Sequence, residues 1–355
     1  LILQAGTTQS MIHVEAIAEG LYTGATDIMT IQPGTAHPVQ QSGNTFPSVP
    51  FKETKIDKML GADISFLPEL ESKGMVFHDL DGKPGDAISI IKKHGFNYVR
   101  LRLFNDPAND SGYSPKKGFC DLKNTLQMAK RTQAAGMKLL LDFHYSDYWA
   151  DPQKQTIPAA WKGKSIQLLK QAVYDYTKMV MESLKAQGTL PDMVQVGNEI
   201  NHGILWPDGN VGNIDQTAQL LCAGTAAVKA VDPTVQMMLH VALGGQNDES
   251  VFFIDNMIAR GVHFDVIGES YYPRWHGTLS DLENNLNDLV RRYNKDIIVV
   301  EYSARKAEVN KIAFELPGGK GKGTCIWEPL STWEKFFDDE GKSNQLLLIY
   351  DELSK

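Results

Sequence analysis

Eight short runs of apolar and β-branched residues recur beyond residue 58, at 64–67, 98–103, 137–142, 193–196, 235–239, 264–267, 297–300 and 324–327. Between most of them the apolar residues return every three or four positions, as in 87–94 and 122–134, the period of a helix with one buried face. Gly95, Gly136, Gly188 and Gly261 follow the last periodic residue of four such stretches, where a chain leaving a helix wants a left-handed residue. Strand alternating with helix eight times, with no hairpin signal inside, predicts a parallel sheet with helical crossovers. The simplest closed form is an α/β fold, a (β/α)8 TIM barrel over 58–355 with an N-terminal extension over 1–57. The seventh crossover, 305–316, runs into Pro317-Gly-Gly-Lys-Gly-Lys-Gly323 and reads as rich in loop.

In such a barrel every strand exit lies on one face, so side chains far apart in sequence become neighbours there. Two exits carry a carboxylate: 193–196 runs into Gly197-Asn198-Glu199, and 297–300 into Glu301. Two facing carboxylates suit glycoside hydrolysis, in which one gives a proton to the leaving oxygen and the other supports or attacks the cationic sugar carbon. The segment after the third strand adds Asp142, His144, Asp147, Trp149 and Asp151 within eleven residues. Carboxylates beside aromatic rings match a sugar's hydroxyl edges and C–H faces. The same segment also reads as a loop whose Asp side chains cap turns while its rings shield the barrel top. Arg100 and Arg102 share one face of the second strand. A cation at the barrel mouth lowers the pKa of a carboxylate near it; Arg102 is the candidate for that role, and Arg100, deeper in the strand, reads as a structural ion-pair partner. Asn198, His240, Ser270, Tyr271, Tyr272 and Trp327 fall at the same end of other strands, with a phenol to hold a carboxylate and an indole to floor a sugar subsite. His and Asp are also metal ligands, but the segment lacks a His-x-His or Glu-x-x-His pair, so neither metal nor cofactor is expected.

Composition narrows the partners. The chain has 355 residues, 42% of them hydrophobic, and a formal net charge of -8, which describes an acidic globular protein with a full core. No nucleic acid is expected, because the phosphate backbone attracts basic surfaces. Cys120, Cys222 and Cys325 show no metal-like spacing and read as small buried apolar residues. No transmembrane segment is expected, since no apolar run approaches the roughly 20 residues that cross a bilayer. Residues 1–57 differ: no Lys or Arg precedes Lys52, and Thr, Ser, Gln, Gly and Pro crowd 23–50. Within them 11–18 reads as a strand, and the whole as a linker or small strand-rich cap. The first residue is Leu1, compatible with a removed secretion signal, so an exported monomer is the expectation.

Leu101-Arg-Leu-Phe104, Asp142-Phe-His-Tyr-Ser-Asp147 with Trp149-Ala-Asp-Pro152, Val196-Gly-Asn-Glu199, Ser270-Tyr-Tyr-Pro273, the strand ending at Glu301 and Trp327-Glu-Pro329 together resemble glycoside hydrolase family 53, the endo-β-1,4-galactanases, over about residues 58–328. Asn-Glu after strand four and Glu after strand seven mark a whole clan of retaining barrel glycosidases; the long Asp142 to Pro152 segment is narrower. The resemblance implies a barrel that cuts internal β-1,4 bonds of galactan or type I arabinogalactan side chains of pectin with retention of configuration. It makes Glu199 the acid/base, Glu301 the nucleophile and a polysaccharide the partner. A retaining pair stands about 5 to 5.5 Å apart. The chain departs from the family pattern at Glu269, where a small or apolar residue is expected, and after Glu301, where Tyr-Ser-Ala-Arg-Lys stands in place of a Gly-Trp run. Some bacterial members carry calcium in a long final loop, but Asp338-Asp-Glu340 lacks the spaced oxygen ligands of a calcium loop. Three other readings keep part of this pattern: a β-glycanase of the same clan acting on glucan, mannan or xylan, a glycan-binding protein without turnover, and a metal-dependent barrel hydrolase sensitive to chelation.

Overall fold

Eight parallel strands close on themselves: β1 (Met59–Asp63), β2 (Tyr98–Leu103), β3 (Lys138–Phe143), β4 (Met193–Val196), β5 (Gln236–Val241), β6 (Val266–Tyr271), β7 (Asp296–Tyr302) and β8 (Gly321–Trp327). Each pairs with the next in sequence, and β8 returns to β1. A helix follows every strand: α1 (Ala87–Lys93), α2 (Leu122–Ala134), α3 (Ile166–Ala186), α4 (Ile214–Val231), α5 (Asn247–Ala259), α6 (Leu279–Tyr293), α7 (Lys306–Phe314) and α8 (Leu348–Leu353). This is the (β/α)8 barrel that the alternating pattern predicts. The computed structural model describes residues 10–16, 24–30 and 58–355. The chain separates into two units, 1–42 and 43–355. In the first, Ser10–Ala16 pairs antiparallel with Gly24–Thr30; the strand expected over 11–18 falls on the former, its last two residues lying outside the described ones.

Local chemistry sets the helix ends. The side chains of Asp86 and Asp121 accept from the backbone N–H groups of Ser89 and Asn124, and Thr278 forms a capping box with Asp281. Gly95, Gly136, Gly188 and Gly261 all take positive φ, as their positions after the helices require.

Three expectations shift. The first strand is 59–63, not 64–67: the small residues Gly61 and Ala62 let β1 sit tightly against β8, where a Cβ on Gly61 would stand 3.2 Å from Cys325. Ile64 and Leu67 are buried instead in the exit turn and at the start of a short helix, Leu67–Ser72, opened by Pro68. The glycine-rich run after α7 opens as a short 3-10 turn over Pro317–Gly319, and only its last three residues join β8; Gly323 is there for close approach, since a Cβ would fall 1.9 Å from the Met59 carbonyl. Cys222 is half-buried, unlike Cys120 and Cys325.

The barrel interior starts as an apolar plug of Met59, Tyr98, Leu140, Met193, Met238, Val266, Ile298, Val300 and Cys325. A separate, larger apolar layer fills the space between strands and helices. Two residues further along their strands the inward positions turn polar at Arg100, Asp142, Gln195 and His240, joined on β1 by Asp63 beyond Gly61, all buried. That change of chemistry marks the floor of a site at the C-terminal face.

Candidate active site

Two local devices aim the carboxylates. Gly197 (φ 89°) and Glu199 (φ 49°) both adopt left-handed backbone, which turns the chain sharply after β4. A non-glycine residue there stores strain of about 1–3 kcal/mol and persists where the surroundings over-determine it. On β7 the register slips: Gly268 pairs with Ile298, but Ser270 pairs with Glu301. The extra residue on β7 is a bulge. It brings Glu301 inward although Ile298 and Val300 already face the barrel interior.

The hub of the site is Arg100, whose guanidinium is almost fully buried. Its Nη1 donates to Asp63 Oδ2 at 3.0 Å and to Glu301 Oε2 at 2.9 Å. Its Nη2 donates to Asp142 Oδ2 at 2.9 Å and to Asn198 Oδ1 at 2.8 Å, and Nε donates to Gln195 at 3.3 Å. One planar group therefore ties Glu301 to the residue before Glu199, using the fixed fork geometry of arginine. The Tyr272 hydroxyl donates to the other oxygen of Glu301 at 2.9 Å.

Glu199 lives differently. Its Oε1 accepts from Ser270 Oγ at 2.7 Å, and Ser270 Oγ lies 2.7 Å from His240 Nε2. Burial and Arg100 push His240 well below its ordinary range, so the ring is neutral. With Glu199 ionised, Ser270 spends its proton on the carboxylate and His240 supplies an N–H to Ser270. Burial, reinforced by the charge of Glu301, pushes Glu199 up to about 8. Burial raises Glu301 as well, against the pull of Arg100 and Tyr272. The first shared proton therefore settles on Glu199, the carboxyl without an ion-pair partner among the described residues.

The residues expected from the sequence divide into three groups. Glu199, Glu301, Asn198, His144, Trp149, Asp151, Trp327 and Arg102 line one cleft. Asp142, His240, Ser270 and Tyr272 stand behind it and hold its members; His144 Nε2 is 3.1 Å from Asp142 Oδ2. Asp147 and Tyr271 are elsewhere. Asp147 accepts from Asp106 N, Asn109 Nδ2 and Ala159 N, so it organises loops in the manner of a turn cap. Tyr271 faces the helices and donates to the Gly277 carbonyl, because alternate residues of a strand point to opposite sides.

The two arginines exchange the roles read from sequence. Arg102 ion-pairs with Glu328 and approaches Asp63 at 3.3 Å, with its guanidinium over Phe66 at 4.3 Å and Trp149 at 4.5 Å. Two residues of strand separate them by roughly 6–7 Å, and Glu301 is level with the deeper one. Asp63, Gln195 and Glu328 were missed. Glu328 carried a signal, as a third carboxylate at a strand exit within Trp327-Glu-Pro329; Asp63 and Gln195 carried none until their strands were placed.

Aromatic rings continue out of the cleft. Trp149 meets Trp327 at 6.2 Å, Trp327 meets Trp333 at 5.2 Å, and Trp333 meets Tyr272 at 4.8 Å and Trp275 at 6.3 Å. Trp333 and Trp275 are 56% and 55% exposed, so their faces are open to a ligand. Such a band offers apolar surface for the C–H faces of successive sugar rings. Among the described residues no group of three or more His, Cys, Asp or Glu is placed to hold a metal ion, and no helix is long and apolar enough to cross a membrane.

The family model for glycosyl hydrolase family 53 matches residues 59–313. The chain is 40% identical over 250 residues to a probable arabinogalactan endo-β-1,4-galactanase A of Aspergillus terreus, covering 68% of this chain and 69% of that one. It is 36% identical over 249 residues to an endo-β-1,4-galactanase of Bacillus subtilis, covering 70% of this chain and 57% of the Bacillus protein. Among solved structures, the family 53 catalytic domain of Ignisphaera aggregans superposes with a TM-score of 0.78 at 34% identity, over 86% of this chain and 98% of that one.

Proposed function

The chain belongs to glycosyl hydrolase family 53, and from that premise we propose that it cuts internal β-1,4-galactosidic bonds of galactan or type I arabinogalactan by a retaining double displacement. Glu301 is the nucleophile and Glu199 the acid/base. The observation that supports this division of roles is the unequal environment of the two carboxyls: Arg100 and Tyr272 hold both oxygens of Glu301, whereas Glu199 contacts a hydroxyl.

In the first step Glu199 protonates the glycosidic oxygen as Glu301 attacks the anomeric carbon. The bond to the leaving sugar breaks, and an ester to Glu301 forms. Ester formation removes the negative charge that had raised Glu199, so the pKa of Glu199 drops once its proton has gone. Glu199 then acts as base toward water, and hydrolysis of the ester returns the original configuration. Trp149 and Trp327 at the cleft and Trp333 beyond it take sugar faces.

This scheme makes a pH prediction. Activity requires Glu199 protonated and Glu301 ionised, so kcat/KM falls on the alkaline side near pH 8 as Glu199 loses its proton, and on the acid side as Glu301 gains one. Glu199→Gln cannot titrate. It is expected to lower kcat/KM on galactan about 10²–10⁴-fold and to abolish the alkaline limb; a limb that persists in this variant would assign the acid to another group.

The substrate is tested by release of reducing ends from linear β-1,4-galactan beside β-glucan, mannan and xylan. Cleavage confined to galactan, with the product anomer retained by NMR, is the expected result. Galactan left intact while another glycan is cut would overturn the substrate, and an inverted anomer would overturn the double displacement.

A further inference from the structure

Glu269 is a buried carboxyl that the reaction above does not use. It lies on the helix side of β6, immediately before Ser270, and is fully buried. Its Oε1 is 3.4 Å from Asn285 Nδ2 of α6, Ser250 of α5 lies beside it, and Oε2 is buried without a hydrogen-bond partner. Among the described residues no cation forms an ion pair with it. Its partner position on β5 is Val241, and the β7 residues between Ile298 and Glu301 are both valines. Asp288 of α6, with Arg291 and Arg292 on it, is linked through Asn247, whose Nδ2 donates to Asn285 Oδ1 at 2.9 Å and to Asp288 Oδ2 at 3.1 Å. Asp248 and Glu249 open α5, and Glu249 turns to His202. A buried carboxylate without a cation beside it is disfavoured as the ion, so the group is held neutral at neutral pH; burial pushes it up to about 8.

A chain of hydrogen bonds leads from this acid to the reacting groups. Asn285 Nδ2 also donates to the Gly244 carbonyl at 2.8 Å, and Gly244 N donates to the Ser270 carbonyl at 2.9 Å, which His276 Nδ1 also meets at 2.9 Å. Gly244 lies so close to that peptide that a Cβ would stand 2.5 Å from Ser270 O. Ser270 in turn gives its hydroxyl to Glu199.

We propose that Glu269 is a positioning residue: as a neutral acid it fixes Asn285 and, through Gly244, the Ser270 peptide whose hydroxyl holds Glu199. The role rests on the reading in which Glu199 is the acid/base. Ionisation of Glu269 draws the Asn285 amide, or water, toward the carboxylate and away from Gly244, and Ser270 loosens.

The test uses Glu269→Leu and Glu269→Gln in the full chain, with Ser270→Ala as reference. The hydrogen bond from Ser270 holds Glu199 down against burial, so a slackened Ser270 moves the alkaline limb of kcat/KM upward. Glu269→Leu is expected to raise that limb by about half a pH unit, in the direction of Ser270→Ala, and Glu269→Gln to restore it. An unmoved limb in Glu269→Leu would overturn the positioning role, because a residue that only fills space changes rates without moving the limb. Unfolding gives a second readout that needs no substrate. A carboxyl raised from 4.5 to about 8 on folding makes stability fall as pH rises across that window. The folding equilibrium of the unaltered chain is thus expected to weaken, relative to Glu269→Gln, by at least about tenfold between pH 5 and pH 8.5. Parallel pH dependence of the two would show that Glu269 is not neutral. If galactan is not cleaved at all, the proposed function fails while the unfolding comparison still decides the state of Glu269.

Discussion

Replacing Glu301 by Gln is expected to lower kcat/KM on linear β-1,4-galactan by at least about 10³-fold. The amide keeps the shape and an acceptor for Arg100 Nη1, so the barrel mouth stays assembled. What disappears is the nucleophile: an amide does not form the glycosyl ester, and it carries no charge to support a cationic sugar carbon. Glu199 changes too. The charge of Glu301 is the largest cause after burial of its raised pKa, so in this variant Glu199 titrates lower and any residual activity loses its alkaline limb at a lower pH. The sign of that shift separates the loss of a carboxylate neighbour from a general collapse of the site. Thermal unfolding should show no loss of stability at neutral pH, since a buried charge has been removed. Galactan cleavage within tenfold of the unaltered enzyme would mean that another group attacks the sugar.

The second large effect falls on stability. Arg100→Met is expected to cost about 3–5 kcal/mol, because removing one partner of a buried ion network leaves uncompensated charge. Arg100 is the shared cation of Asp63, Asp142 and Glu301. Arg102 and His144 retain contacts to Asp63 and Asp142, but Glu301 keeps, among the described residues, the Tyr272 hydroxyl alone. Without the guanidinium, Glu301 rises further, and the acid limb of kcat/KM moves to higher pH. Urea unfolding and the pH profile measure the two consequences separately. A destabilisation below about 1 kcal/mol would show that the carboxylates are held by their other partners.

Particular residues show where the sequence was legible. The helix Leu122–Ala134 matches its expected bounds because Asp121 before it and Gly136 after it act within one turn of the chain. Glu199 and Glu301 were visible as carboxylates ending apolar strands. Tyr272 was visible as a phenol at a strand exit, but Tyr271 beside it was equally eligible, and only the facing of β6 chose between them. Asp147 had the composition of a sugar ligand and serves as a loop cap. Gln195 was invisible, a polar residue in an apolar strand whose partners include Arg100 and Asp142 on the two preceding strands and His240 on the next.

By itself the sequence determined the alternation of strand and helix, the closed barrel it implies, and the exits where chemistry gathers. Those follow from periodicity, caps and glycines, forces that act between residues a few positions apart. The tertiary structure alone decided which groups meet. The bulge in β7 carries Glu301 to the level of Ser270, and the stacking of inward layers gives Arg100, not Arg102, the contact with it. Both are matters of register, between neighbouring strands for Ser270 and Glu301 and across 201 positions of chain for Arg100 and Glu301, and register is set by the packing of whole neighbouring strands rather than by any one segment's own pattern.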